Sequence, residues 1–150
     1  MKEQIGLKIR TLSHMIRREV DERISSSVPG EITGVQGFVI KYLYSNRNRD
    51  IFQRDLEKQF NLRRSSITSV LNNLEKNGFV RREEVNNDKR LKKVVLTEKG
   101  IKHQDMIDKI IFDFENQLQK DLSEEEINQL FALLTKLENN IEKGKSYEEK

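Results

Sequence analysis

Ile5, Ile9, Leu12, Ile16, Val20 and Ile24 recur at steps of three or four residues. That spacing predicts a helix with one apolar face. Ser25, Ser26, Ser27, Val28, Pro29 and Gly30 follow and end it in a loop. Thr33 is a suitable N-cap for a second helix carrying Val35, Phe38, Val39, Tyr42 and Leu43 on one side. Residues 45–50 are polar and read as a loop. Two short helices are expected next. The first, over residues 51–60, buries Ile51, Leu56 and Phe60; Asn61 and Leu62 make a tight connection. The second, over residues 64–77, turns Ile67, Val70, Leu71 and Leu74 inward. Gly78 stands where a helix exit wants a left-handed residue, whereas Arg63 is a poor N-cap.

The period then changes from helical to extended. Residues 80–85 and 92–96 read as paired strands, with residues 86–91 as the charged turn between them. Thr97 can cap a long helix over residues 97–120 carrying Ile107, Ile110, Ile111, Phe114, Leu118 and Leu122. Ser123 and Glu126 form a capping-box pattern that opens a last helix with Ile127, Leu130, Phe131, Leu134, Leu137 and Ile141. Residues 144–150 are expected to fray. The predicted fold class is mainly α with a small β-hairpin wing: a winged helix-turn-helix plus a helical dimerisation region. The predicted division is residues 1–46 (N-terminal dimerisation and cleft helices), 47–100 (winged helix-turn-helix) and 101–150 (C-terminal dimerisation helices).

Composition narrows the function. Charged residues make up 35% of the 150 and hydrophobic residues another 35%, with no apolar run long enough to cross a membrane. The first ten residues carry charge where a secretory signal would be apolar, so a cytoplasmic location is expected. The absence of cysteine excludes disulfides, thiolate metal sites and thiol-based oxidant sensing. Residues 47–100 hold 14 basic and 8 acidic side chains, whereas residues 101–150 hold 7 basic and 12 acidic. A basic middle of this kind suits a polyanion.

Helix, tight connection, helix and charged hairpin together make a winged helix-turn-helix, whose second helix fits the DNA major groove. Its outer face offers Arg64, Ser65, Ser66, Thr68, Ser69, Asn72 and Asn73. These serve base edges and phosphates, Asn being able to pair bidentately with adenine. A merely solvated face would more often carry Glu and Lys, which form helices better. Arg82, Asp88, Lys89, Arg90 and Lys92 supply the wing. Asp88 is expected to hold the Arg90 guanidinium and aim it at the minor groove. No phosphate-binding glycine loop is present, and His14 and His103 are too far apart in sequence for a triad or metal cluster. The chain is therefore read as a non-enzyme without cofactor or metal. The apolar faces of the terminal helices exceed what a small winged domain can cover. A two-fold dimer would bury them and space two reading heads for a pseudo-palindromic site.

Asp88-Lys89-Arg90, the run Val94-Val95-Leu96-Thr97-Glu98-Lys99-Gly100, and the stretch from Ser65 to Arg82 resemble the wing, its exit and the recognition helix of MarR-type transcriptional regulators. Arg63 and Glu57 depart from the family pattern, which has small residues there. The resemblance implies a homodimeric regulator of transcription, a repressor on double-stranded DNA. It also implies a cleft for a small aromatic or anionic effector. His14, Met15, Arg18, Phe38 and Tyr42 are the candidate lining, although the i, i+4 spacing of Phe38 and Tyr42 favours a core reading for those two. A non-specific architectural DNA binder and a winged-helix protein-interaction module are the alternatives.

Overall fold

The computed structural model describes residues 3–30, 32, 34–86 and 88–145. The order is α1 (Ile5–Ser27), α2 (Gly34–Ser45), α3 (Gln53–Phe60), α4 (Arg64–Lys76), β1 (Val80–Val85), β2 (Asp88–Leu96), α5 (Glu98–Gln119) and α6 (Glu124–Lys145). Two compact units result, Met1–Ile111 and Phe112–Lys150. The expected Thr33 cap and most of the expected C-terminal fraying lie outside the described residues.

The core of the first unit is built from α2, α3, α4 and the hairpin. It contains Val39, Ile40, Leu43, Ile51, Leu56, Ile67, Leu71, Leu74, Phe79, Val80, Val94 and Leu96. The inward face of α2 differs from the expected one. Val39, Ile40 and Leu43 are buried, while Phe38 is 63% exposed and Val35 is also exposed. The helix is rotated so that Ile40 enters the core, and α4 and β2 are the helix's main neighbours. No residue of α1 is fully buried.

Helix α4 ends in a reciprocal exit. Phe79 N–H donates to Leu74 O (2.9 Å) and Gly78 N–H to Glu75 O (3.0 Å). Gly78 holds φ +78°, the conformation this exit requires. The same turn is tied to the start of α5. Thr97 N–H donates to Phe79 O (3.1 Å), the Thr97 hydroxyl donates to Gly78 O, and Gly100 N–H donates back to Thr97 Oγ1 (3.2 Å). Thr97 therefore caps α5 as expected. Gly100 permits the approach: a Cβ there would lie 2.3 Å from Phe79 O and 2.9 Å from Leu96 Cδ2.

The hairpin pairs Val80 with Leu96 through Glu84 with Lys92, and then Val85 with Asp88. β2 thus begins at Asp88, earlier than the expected residue 92. Lys89, Arg90 and Leu91 are the surplus residues of an irregularity opposite Glu84 and Val85. A bridge between Phe52 and Lys93, with Val94 N–H donating to Ile51 O (2.8 Å), extends the hairpin onto the chain before α3. In the second unit the Ser123 capping box is formed. Ser123 N–H donates to Glu126 Oε2 (2.8 Å) and Glu126 N–H to Ser123 Oγ (3.2 Å).

His103, on α5, is 5% exposed. Its ring packs edge-on to Phe79 (5.2 Å, 69°) and neither nitrogen has a hydrogen-bond partner. Burial, then the nearby Lys99 charge, lower its pKa from the ordinary 6.5. The unfolded chain therefore takes up a proton near pH 6.5 that the folded chain resists. This contribution to stability is complete above that pH and is lost as pH falls below it. Urea midpoints at about pH 7.5 and about pH 5.5 should show the wild type losing more stability than His103→Phe. Gly100→Ala should destabilise the fold by about 1–3 kcal/mol, by the same measurement, because its methyl meets main chain that cannot yield.

Candidate nucleic-acid interface

Ile67, Leu71 and Leu74 anchor α4 in the core and thereby fix its outer face. Arg64, Ser65, Ser66, Ser69, Asn72 and Asn73 are exposed on it. Thr68 is half-buried, because α3 packs against α4 there. Gln53 Nε2 donates to Thr68 Oγ1 (2.9 Å) and approaches Glu57 Oε1 (3.4 Å). Arg63 occupies the N-cap in extended conformation without a side-chain cap bond, in keeping with its poor capping chemistry.

A groove of about 650 Å³ joins Arg64 and Thr68 of α4 to Arg82, Lys89, Arg90 and Lys92 of the wing. It also takes in Gln53, Arg54 and Glu57 of α3. Gln53 and Arg54 were not expected from the sequence, and no periodicity marks them. Only the packing of α3 on α4 and the reach of the wing bring them in. Ser65, Ser66, Ser69, Asn72 and Asn73 do not line the groove but share the exposed face of α4.

The cations divide into two groups. Arg82 bonds Glu75 through Nε (2.8 Å) and Nη2, and its Nη2 also donates to Asn72 Oδ1 (2.6 Å). Arg81 pairs with Glu83 (2.8 Å), and Lys93 with Asp50 (2.7 Å). The bond to Asp50 is the main cause holding the Lys93 pKa above the usual lysine value. Among the described residues, Arg64, Lys89, Arg90 and Lys92 enter no ion pair. Their charges face solvent.

Asp88 acts differently from the expectation. Its Oδ1 accepts the Arg90 main-chain N–H (2.9 Å), not the guanidinium. The short side chain reaches two residues along its own strand and closes a local turn. It shapes the wing backbone and leaves the Arg90 side chain free to seek a partner.

The five candidate cleft residues are not brought together. His14, Met15 and Arg18 line a shallow depression along α1. Phe38 projects from α2. Tyr42 packs edge-on against Phe60 (5.9 Å), and its hydroxyl accepts from Arg49 (2.9 Å).

A second helix held in a helix-turn-helix core and flanked by a basic hairpin defines the winged helix-turn-helix class. The MarR family model matches residues 32–92, which span α2 to the wing. Over that segment the chain resembles the MarR family. It is 34% identical over 83 residues to the uncharacterized HTH-type transcriptional regulator YwhA of Bacillus subtilis (strain 168). That match covers 55% of this chain and 56% of the Bacillus protein, about half of each. Among solved structures, MepR, a transcription regulator of the Staphylococcus aureus multidrug efflux pump MepA, matches with TM-score 0.76 and 29% identity. That match covers 93% of this chain and 99% of MepR. MepR bound to ethidium bromide matches with TM-score 0.77 and 28% identity over 93% of this chain and 98% of that one. A MepR point mutant bound to an oligodeoxyribonucleotide gives 0.74 and 28%, covering 93% and 99%.

Asp88→Ala should leave the melting temperature nearly unchanged but loosen the wing turn. Amide exchange at Arg90 should rise about tenfold or more while exchange at Val94 stays protected.

Proposed function

We propose that this protein is a sequence-specific, double-stranded-DNA-binding regulator of transcription. It acts as a homodimeric repressor on a pseudo-palindromic operator in the cytoplasm and is released by a small aromatic or anionic molecule. The observation that carries the reading is the groove in which α4 and the wing present Arg64, Lys89, Arg90 and Lys92 unpaired beside a row of short polar side chains. Phosphate contacts by such cations position a protein on DNA, and short polar groups read base edges. The oligodeoxyribonucleotide-bound MepR structure supports DNA as the ligand of this fold, and the ethidium-bound one supports a small-molecule effector. No helix among the described residues is long and apolar enough to cross a membrane.

The dimer rests on exposed apolar side chains. Ile5, Leu7, Ile9, Leu12 and Met15 stand out from α1, and Leu130, Phe131, Leu133 and Ile141 from α6. A second copy of the chain would cover them isologously. In this reading residues 1–46 and 101–150 dimerise, and residues 47–100 bind DNA. The acidic balance of residues 101–150 suits a region held away from phosphate.

The test is binding to DNA upstream of the protein's own gene, with random competitor at near-physiological salt, while the mass of the complex is followed. The expected result is a competitor-resistant complex with two chains per site. Binding abolished by competitor would replace this reading with non-specific architectural binding. Arg90→Ala should weaken the specific complex by about 1–3 kcal/mol, measured by titration at fixed salt. Unchanged affinity would remove the wing from the interface.

A further inference from the structure

Three oxygen acceptors on or beside the outer face of α4 are already occupied by internal donors. Asn72 Oδ1 accepts from Arg82 Nη2 (2.6 Å), Thr68 Oγ1 from Gln53 Nε2 (2.9 Å), and Asn73 Oδ1 from Asn77 Nδ2 (2.9 Å). In each case an unambiguous partner fixes which end of the amide points where. Arg82 can only donate, so it must meet the oxygen of Asn72. Gln53 Nε2 also faces the Glu57 carboxylate, which only accepts. Asn77 Nδ2 also donates to the Asn73 main-chain carbonyl (2.9 Å), which likewise only accepts. Arg82 is itself held by two bonds to Glu75. Each oxygen keeps a second lone pair but is oriented toward its internal donor, so the groups left wholly unengaged are the amide N–H groups of Asn72 and Asn73 and the hydroxyl proton of Thr68.

We propose that the recognition face is set as a row of hydrogen-bond donors that selects the acceptor edges of guanine and thymine, with Asn72 donating to guanine instead of pairing bidentately with adenine. This rests on the DNA-binding reading above and specifies its base preference. Adenine recognition by an asparagine needs the amide oxygen for the base N6–H and the amide nitrogen for N7. In Asn72 that oxygen is turned to Arg82. Guanine offers two acceptors in the major groove, N7 and O6, and thymine offers O4. Cytosine offers only a donor, and adenine one donor beside its N7. Arg82 and Gln53 are then positioning residues: each acts on the base through the oxygen it occupies.

The test is selection from a random duplex library with the full-length protein at near-physiological salt, comparing wild type, Asn72→Asp and Arg82→Leu. Asn72 is exposed, so Asn72→Asp keeps the fold while exchanging donors for an acceptor. The wild type should enrich guanine or thymine at the base that Asn72 reads, by roughly tenfold over adenine. Asn72→Asp should move that base to cytosine or adenine, alongside a general loss of affinity. Arg82→Leu frees the Asn72 oxygen and should bring adenine near parity with guanine. Adenine enriched by the wild type at that base, or a preference unmoved by both variants, would overturn the donor row while leaving the regulator standing. No enriched sequence at all would overturn the regulator and this inference together.

Discussion

The reading surface depends on one joint, where α4 ends and α5 begins. Gly78 turns the chain out of α4 in a left-handed conformation, and Thr97 bonds both Gly78 O and Phe79 O. Gly100 lets the main chains meet where a Cβ would clash with Phe79 O. These contacts fix the end of α4 against both the root of the wing and the first turns of α5. A surface that reads DNA by hydrogen bonds gains from such rigidity, because groups already in place lose less entropy on binding. The threonine and glycine of the Leu96-Thr97-Glu98-Lys99-Gly100 run are structural in this light, and in the proposed complex they would serve recognition only through the helix they hold.

Much of this was legible because the signals are local. A helical period, the glycine at the exit of α4, and the Ser123 and Thr97 caps need only neighbours within one turn. The predicted α4 boundaries and inward residues match for that reason. The misreadings are tertiary. The apolar pattern of α2 admits more than one face, and the packing of α4 and β2 selects Ile40 over Phe38. The early start of β2 depends on a register irregularity that strand propensity does not encode. Gln53 joins the interface through a bond to Thr68, fifteen positions away, which no spacing rule announces. Charge complementarity points Asp88 to the Arg90 side chain, but the nearer donor is the Arg90 main-chain N–H, which its short carboxylate reaches within its own strand.

Net charge overstates the electrostatic footprint. Several cations of residues 47–100 are spent internally, on Glu75, Glu83 and Asp50. Counterion release follows the cations that meet phosphate, and paired ones contribute less. In the proposed complex Arg64, Lys89, Arg90 and Lys92 would therefore carry the affinity, while Arg82 would act on shape and orientation. On that proposal acidic residues have a place within a basic surface: Glu57 and Glu75 accept from Gln53 and Arg82 and hold those donors in place.

Helix α1 shows why the proposed assembly and the fold belong together. Ile16, Val20 and Ile24 in its C-terminal half are partly buried, but Ile5, Leu7, Ile9, Leu12 and Met15 are exposed. On helical propensity alone a stretch as short as this N-terminal half is only marginally helical, and β-branched residues weaken it further. Burial against a second copy would supply what its own chain does not. In that arrangement the N-terminal half of α1 gains order from association, so the helix and the dimer form as one event. The spacing of the two reading heads is then set by the same apolar contacts that stabilise the helix, and anything that shifts those contacts shifts the spacing.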